Sequence, residues 1–187
     1  MSGVQLKNQV FTDEEFMEFV KKDDNTRYEL INGEIYAMGS PLTWHQRVIS
    51  YIFYQFQTYF KGKPCEAFLS PLDVHLDKNS KKNKNVYQPD IIVVCDKNKI
   101  KRDGIYGAPD MVVEITSPST SRNDVLFKYN NYLQYGVKEY WIVNNETINQ
   151  CFLKRGEYVL KLFSFDSVVG SRLFPDLQVD FSQFEGA

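Results

Sequence analysis

Two runs of mainly β-branched residues, "DIIVVC" at 90–95 and "DMVVEIT" at 110–116, most constrain how this 187-residue chain can fold. Such runs show almost no alternation of polar and apolar residues, which is typical of strands buried on both faces inside a sheet. Each run nevertheless contains a carboxylate, Asp90 at the start of the first and Glu114 within the second. An ionised carboxylate there is costly unless it is paired or binds a metal.

The segments around these runs predict helices and hairpins. Thr12 and Glu15 form a capping-box pattern at the start of a helix, and Gly136 is a helix stop. Asn32-Gly33 and Arg155-Gly156 predict hairpin turns, and apolar residues recur every three or four positions through 41–61, which predicts an amphipathic helix. No repeat or linker divides the chain. The sequence therefore predicts one domain over residues 1–187, an α/β fold with a central mixed β-sheet flanked by helices.

Charge is unevenly distributed along the chain. The formal net charge is −2, yet residues 77–102 contain eight Lys/Arg and three Asp. A local basic patch can attract a polyanion when the overall charge is slightly negative. We therefore regard 78–84 and 97–102 as candidate phosphate contacts, although a solvated Lys-rich loop explains the same pattern.

The cysteine pattern favours no metal or disulfide framework. Cys65, Cys95 and Cys151 are odd in number and include no C-x-x-C pair. Cys95 and Cys151 lie in strand-like runs, where we expect small buried hydrophobes. With neither a signal-peptide pattern nor an apolar run long enough to span a membrane, we expect a cytoplasmic protein without a membrane partner.

The two strand carboxylates suggest a chemistry. If the strands are neighbours, Asp90 and Glu114 converge at one edge of the sheet, where two oxygen donors suit Mg²⁺. Lys128 follows on the next predicted helix and could stabilise charge on a phosphodiester. Other interpretations remain open: Asp90 could cap a turn, Glu114 could pair with a buried cation or with Thr116, and Asp124 with Lys128 could be an ordinary helix ion pair.

Several short motifs occur together in a recognisable order. They are "YELINGEIYAM", His45, "QPDIIVVCD", "GAPDMVVEITSPST", the Asp124-x-x-x-Lys128 spacing and "YGVKEYWIV". This set resembles the Uma-type family of putative restriction endonucleases, which belongs to the PD-(D/E)XK nuclease superfamily. The resemblance covers roughly residues 10 to 180. Each motif is common by itself, so the specificity comes from their order and spacing.

The resemblance implies a restriction-endonuclease-like fold and a metal-dependent endonuclease that hydrolyses DNA, with Mg²⁺ or Mn²⁺ as cofactor. Asp90 and Glu114 match the two metal-binding acidic residues, and the carbonyl of Ile115 matches a backbone ligand. Glu29 matches an acidic residue of the N-terminal motif and would contact the metal or its waters. The resemblance also makes a homodimer a candidate assembly.

One departure from the superfamily pattern qualifies these expectations. Thr116 occupies the position where a catalytic Lys is expected, two residues after Glu114. In the Uma-type branch a Lys on the next helix serves instead, which here is Lys128. The alternative function is a catalytically inactive nuclease-like module that binds nucleic acid or a protein, and a metal-free structural protein is a third. His45 is open between a structural and a functional role.

Overall fold

The structure is a computed structural model that describes residues 4–5, 10–23, 25–77, 83–116 and 122–185. Its helices are α1 (Asp13–Val20), α2 (Thr43–Phe60) and α3 (Arg122–Gln134). Its strands are β1 (Val4–Gln5), β2 (Tyr28–Ile31), β3 (Glu34–Ala37), β4 (Glu66–Leu69), β5 (Val74–His75), β6 (Val86–Tyr87), β7 (Ile91–Val94), β8 (Ile105–Tyr106), β9 (Met111–Ile115), β10 (Glu139–Val143), β11 (Thr147–Lys154), β12 (Glu157–Ser164), β13 (Val168–Gly170) and β14 (Gln178–Asp180). None of the described helices is long and apolar enough to cross a membrane.

The strands form two six-stranded sheets and a two-stranded ribbon. Sheet A has the order β1-β3-β2-β6-β5-β8, sheet B has the order β12-β11-β10-β9-β7-β4, and β13 pairs with β14. Parallel pairs, β5 with β8 and β9 with β10, occur among antiparallel ones. The predicted α/β class with mixed strands and flanking helices is confirmed, but two sheets replace the single central sheet that we expected.

Local sequence signals explain most element boundaries. Thr12 and Glu15 form the predicted capping box at the start of α1. Asn32 and Gly33 have φ angles of 51° and 86°, in the left-handed region that Asn and Gly tolerate best. They form the turn that joins β2 to β3. The Arg155-Gly156 turn joins β11 to β12 in the same way.

Sheet B is covered on both faces. The apolar side of α2 packs on one face, against Ile91, Val93 and Val113. The other face, with Ile92 and Val112, packs against α3 and sheet A. The outer face of sheet A is covered by α1. As predicted, β7 and β9 are therefore buried on both faces, and polar side chains on them can reach water only at the strand ends.

The expectation for the cysteines is wrong in one respect. Cys65 and Cys95 are joined by a disulfide, and Cys95 is half-buried, not a buried apolar filler. Glu66 pairs with Val94 in the β4–β7 ladder, so the two cysteines lie opposite each other just beyond it. This contact depends on strand pairing across 30 residues, which cysteine spacing does not reveal. Cys151 is free and buried, as predicted.

A buried carboxylate fixes the C-terminal segment to sheet B. The side chain of Glu139 is fully buried. Its Oε1 accepts hydrogen bonds from Trp141 Nε1 and Gln150 Nε2, and its Oε2 accepts from the Ser171 hydroxyl and the backbone N–H groups of Arg172 and Leu173, all at 2.6–2.9 Å. Five donors on one carboxylate offset the cost of burying its charge.

We expect Glu139→Gln to lower the free energy of unfolding by about 3 kcal/mol, because either orientation of the amide turns its NH₂ group toward at least two donors. Urea denaturation followed by tryptophan fluorescence measures this. Glu146→Gln, at an exposed position in the turn between β10 and β11, is the matched control and should change stability little. Equal stabilities for the two variants would contradict this role of Glu139.

Candidate active site

Asp90 and Glu114 face each other at the same end of two neighbouring strands. Ile91 pairs with Val113 in the antiparallel β7–β9 ladder, so the register places Asp90 opposite Glu114, one position further along. The Ile115 N–H donates to Asp90 Oδ2 at 2.8 Å and fixes that carboxylate against β9. The strand adjacency on which the sequence hypothesis depended is therefore present.

The ammonium of Lys128 bridges two carboxylates from different sheets. Its Nζ lies 2.9 Å from both oxygens of Glu29 on β2 and 3.3 Å from Glu114 Oε1 on β9. All three side chains are nearly buried, and the ring of Tyr87 lies beneath the ammonium at 5.6 Å. Sequence reasoning grouped Glu29, Glu114 and Lys128 through the resemblance, and the structure brings them together.

Tyr132 is a member of this site that the sequence did not reveal. Its hydroxyl donates to Glu114 Oε1 at 2.9 Å, the oxygen that Lys128 also contacts. Tyr132 is fully buried one helical turn after Lys128. The i, i+4 spacing on α3 was the available signal, but an aromatic residue at such a position usually packs in a core. Burial and the nearby Glu114 charge hold the pKa of Tyr132 well above its ordinary value, so it remains a donor.

Burial raises the pKa of Glu114 from 4.5 to about 7. The cation of Lys128 opposes this increase, whereas the negative charges of Asp90 and Glu29 add to it, and the Tyr132 hydrogen bond opposes it. Among the described side chains, three carboxylates thus share one cation. A second positive charge at this place would relieve their mutual repulsion.

His45 contacts Asp90 from α2, which packs on the face of sheet B opposite to α3. It lies in the first turn of α2, and its Nε2 is 3.2 Å from Asp90 Oδ2. Its Nδ1 is buried and has no hydrogen-bond partner among the residues that the structure describes. With the Ile115 N–H, His45 holds Asp90 Oδ2 from two sides. His45 therefore orients Asp90, which sequence reasoning left open.

Buried amides join α3 to sheet A behind the site. Asn131 Nδ2 lies within hydrogen-bond distance of Asn32 Oδ1, Asn85 Oδ1 and the Tyr87 hydroxyl, at 2.6–3.1 Å. The backbone N–H of Gln88 donates to Glu29 Oε1 at 2.9 Å. These contacts fix the helix that carries Lys128 and the strand that carries Glu29.

The basic stretch 97–102, predicted to contact phosphate, is not at this end of the sheet. Lys97–Lys99 forms a 3₁₀ turn that follows the other end of β7 from Asp90. The four residues of β7 separate them by about 13 Å or more. Any phosphate bound there would belong to a more distant part of a nucleic acid. Lys78, Lys81 and Lys82, and the side chain of Asp124, lie outside the described residues.

The donors at the end of β7 and β9 are hard oxygen ligands. Asp90 and Glu114 supply carboxylates, and the backbone of Ile115, the residue after Glu114, contacts Asp90. Among the described residues, no three His, Cys, Asp or Glu side chains form a ready-made metal cage. Mg²⁺ commonly uses one or two protein carboxylates and keeps several waters, so two carboxylates and a carbonyl fit it in type and number.

In buffer with a chelator, the free energy of unfolding of the wild type should fall relative to that of Glu114→Gln as the pH rises from 4.5 to about 7. Folded Glu114 keeps its proton in this window and the unfolded chain releases it, so stability decreases with pH, by up to about 3 kcal/mol. Urea denaturation across the window measures the difference. Glu66→Gln, at a partly exposed strand position, is the control and should follow the wild type across the window. If the free energies of unfolding of wild type and Glu114→Gln run parallel with pH, the raised pKa of Glu114 is contradicted.

Comparison with known proteins gives two individual similarities. Uncharacterized protein slr1290 of Synechocystis sp. (strain ATCC 27184 / PCC 6803 / Kazusa) is 26% identical over 136 residues, which is 72% of this chain and 69% of that protein. The crystal structure of a putative nuclease belonging to DUF820 from Anabaena variabilis ATCC 29413 superposes with a TM-score of 0.73 and 21% identity, over 93% of this chain and 97% of that one. At this identity the structural similarity shows the shared fold alone.

A family-level match covers most of the chain. Residues 13–182 match the Uma2 family, described as "Putative restriction endonuclease". This range includes Glu29, Asp90, Glu114 and Lys128 together with the strands and helix that position them. The chain belongs to the Uma2 family of putative restriction endonucleases.

Proposed function

We propose that this protein is a metal-dependent endonuclease that hydrolyses phosphodiester bonds in DNA. The observation that carries the proposal is the pairing of Asp90 and Glu114 at one end of β7 and β9, with Lys128 3.3 Å from Glu114. Metal-assisted phosphoryl chemistry needs acidic side chains that can bind a metal and a cation nearby, and the ends of β7 and β9 offer both. Membership of a family of putative restriction endonucleases supports DNA as the substrate.

In this proposal Asp90, Glu114 and the Ile115 carbonyl hold Mg²⁺ or Mn²⁺. The ion would activate a water and neutralise charge on the phosphate. Asp90 is already fixed by the Ile115 N–H and by His45, both on Oδ2. Glu114 is fixed by Tyr132 on Oε1. Carboxylates held in this way lose little freedom when they bind an ion, which strengthens binding.

Lys128 has two tasks in the proposed reaction. In the metal-free protein it partly neutralises Glu29 and Glu114. With a divalent ion bound at Glu114, the Lys128 ammonium would be free to turn toward the phosphate or the attacking water, where it would stabilise developing negative charge. Glu29 accepts from the ammonium at 2.9 Å and keeps it close to the site.

A second candidate function is a nuclease-like module that binds nucleic acid or a protein without cutting. The observation that favours it is Thr116, which lies half-buried two residues after Glu114 where a Lys is expected. The two functions differ in whether Lys128 does the work of the missing Lys. DNA binding without cleavage at any divalent metal concentration would support the inactive module.

We expect Asp90→Asn and Glu114→Gln each to reduce cleavage of plasmid DNA in Mg²⁺ by about a hundredfold or more, because each removes a charged metal ligand. The variants should retain the circular dichroism spectrum of the wild type. Asp96→Asn, beyond the opposite end of β7, is the matched control and should cleave normally. Normal cleavage by either site variant would refute the assignment.

Lys128→Met should lose cleavage to a similar degree while Mn²⁺ binds at least as tightly, since the ammonium no longer competes for Glu114. Titration calorimetry with Mn²⁺, together with a cleavage assay, separates these effects. Lys138→Met is the control, because Lys138 pairs with Asp110 away from the site.

A rescue experiment tests the position of the catalytic cation directly. Thr116 lies on the same face of its strand as Glu114, so Thr116→Lys can offer an ammonium from the superfamily position. Added to Lys128→Met, it should restore part of the cleavage. If Lys128→Met cleaves like the wild type, Lys128 is not the substitute for the missing Lys.

A further inference from the structure

The last strand of sheet B has an open and apolar edge. β12 has eight residues, and among the described strands it pairs with β11 alone. Leu160 and Leu162 on this strand are 59% and 66% exposed. Because a long open edge with exposed apolar side chains invites pairing with another strand, proteins usually keep such edges short, charged or covered.

The exposed leucines continue the sheet face on which the candidate active site lies. Glu114 is level with Ile142, Ile142 with Asn149, and Asn149 with Leu162 across successive strands. Tyr158 lies on the same side and donates to backbone carbonyls at the end of α3. Tyr158, Leu160 and Leu162 therefore form an apolar strip that begins beside α3 and continues along β12, the open edge strand.

We propose that β12 pairs antiparallel with β12 of a second copy of this chain about a twofold axis perpendicular to the sheet. This pairing joins the two copies of sheet B into one sheet of twelve strands. In an antiparallel ladder every second residue directs its backbone N–H and C=O toward the open edge, and these groups would bond to the partner. An isologous contact of this kind closes a dimer and leaves no further edge at this position.

The charges of β12 select one register for this pairing. With Val159 opposite its own copy, Glu157 lies opposite the partner's Lys161, and Tyr158 lies opposite the partner's Leu160. The twofold axis repeats both pairs, so two ion pairs flank the centre. Opposite charges and apolar pairs directly across strands each stabilise a sheet.

Neighbouring registers lose these ion pairs. A shift that centres the axis on Leu160 keeps apolar pairs but places Lys161 opposite Val159. A shift that centres the axis on Lys161 places the two ammonium groups opposite each other. Registers displaced by one residue would turn apolar side chains to the other face. Among these registers, only the one centred on Val159 places Glu157 and Lys161 opposite charges of the other sign.

The dimer would place both candidate active sites on the same face of the joined sheet, since a twofold axis perpendicular to a sheet preserves its faces. Glu114 lies three strand spacings, about 14 Å, from the open edge. This consequence rests on the proposed nuclease function, for which two sites on one face suit cleavage of both strands of a duplex. The assembly itself does not depend on it.

Charge exchange tests the register. In buffer without metal or DNA, wild-type protein should sediment as a dimer, and Lys161→Glu should dissociate about tenfold more readily or worse, since it places like charges across the interface twice. Glu157→Lys should do the same, and the double variant Glu157→Lys/Lys161→Glu should restore the dimer. The two single variants, mixed, should form heterodimers. Analytical ultracentrifugation measures all five results.

Lys101→Glu, an exposed charge change in the loop after β7, is the control and should leave the dimer intact. Circular dichroism checks that each variant is folded, and Lys161→Glu serves alone if Glu157→Lys disturbs the hairpin. A monomeric wild type, or single charge variants that dimerise as tightly as the wild type, would overturn the proposal. Because no cleavage is measured, failure here is distinct from failure of the nuclease assignment.

Discussion

The contact of the Lys128 ammonium with Glu29 and Glu114 is the interaction on which the rest of the site depends. It joins a strand of sheet A, a strand of sheet B and helix α3 through side chains that are nearly buried. Without the cation, two carboxylates would repel each other in a medium of low polarity, and burial alone already raises the pKa of Glu114. The surrounding hydroxyl and amide donors hold the side chains of the site in place around that cation.

This arrangement gives a physical account of how the chain could act without a Lys at Thr116. The cation is Lys128 on α3, one turn before Tyr132, and both side chains contact Oε1 of Glu114. Under the proposed function, Glu114 would serve a divalent ion as a ligand while Tyr132 keeps the carboxylate in place. The ion would add positive charge to a site where, among the described side chains, carboxylates outnumber cations, and Glu29 would keep the Lys128 ammonium nearby.

The sequence predicted the parts of the fold that local chemistry determines. The capping box at Thr12, the Asn32-Gly33 turn and the buried runs around Asp90 and Glu114 were found where expected. The second sheet, the Cys65–Cys95 bond, the Tyr132 hydrogen bond and the distance of Lys97–Lys99 from Asp90 were not predicted. The second sheet and the disulfide depend on which distant segments pair, and no local pattern encodes that pairing. The Tyr132 hydrogen bond depends on how α3 packs on sheet B, and the separation of Lys97–Lys99 from Asp90 follows from the extended length of β7. The catalytic roles themselves remain predictions.

The most direct test of the metal site is anomalous diffraction from crystals grown with Mn²⁺. A single peak is expected about 2.1 Å from one oxygen each of Asp90 and Glu114 and from the Ile115 carbonyl. Lys128 Nζ should have moved away from Glu114, with its contact to Glu29 retained. A map at saturating Mn²⁺ with no peak between these carboxylates, and with Lys128 still bound to Glu114, would contradict the account.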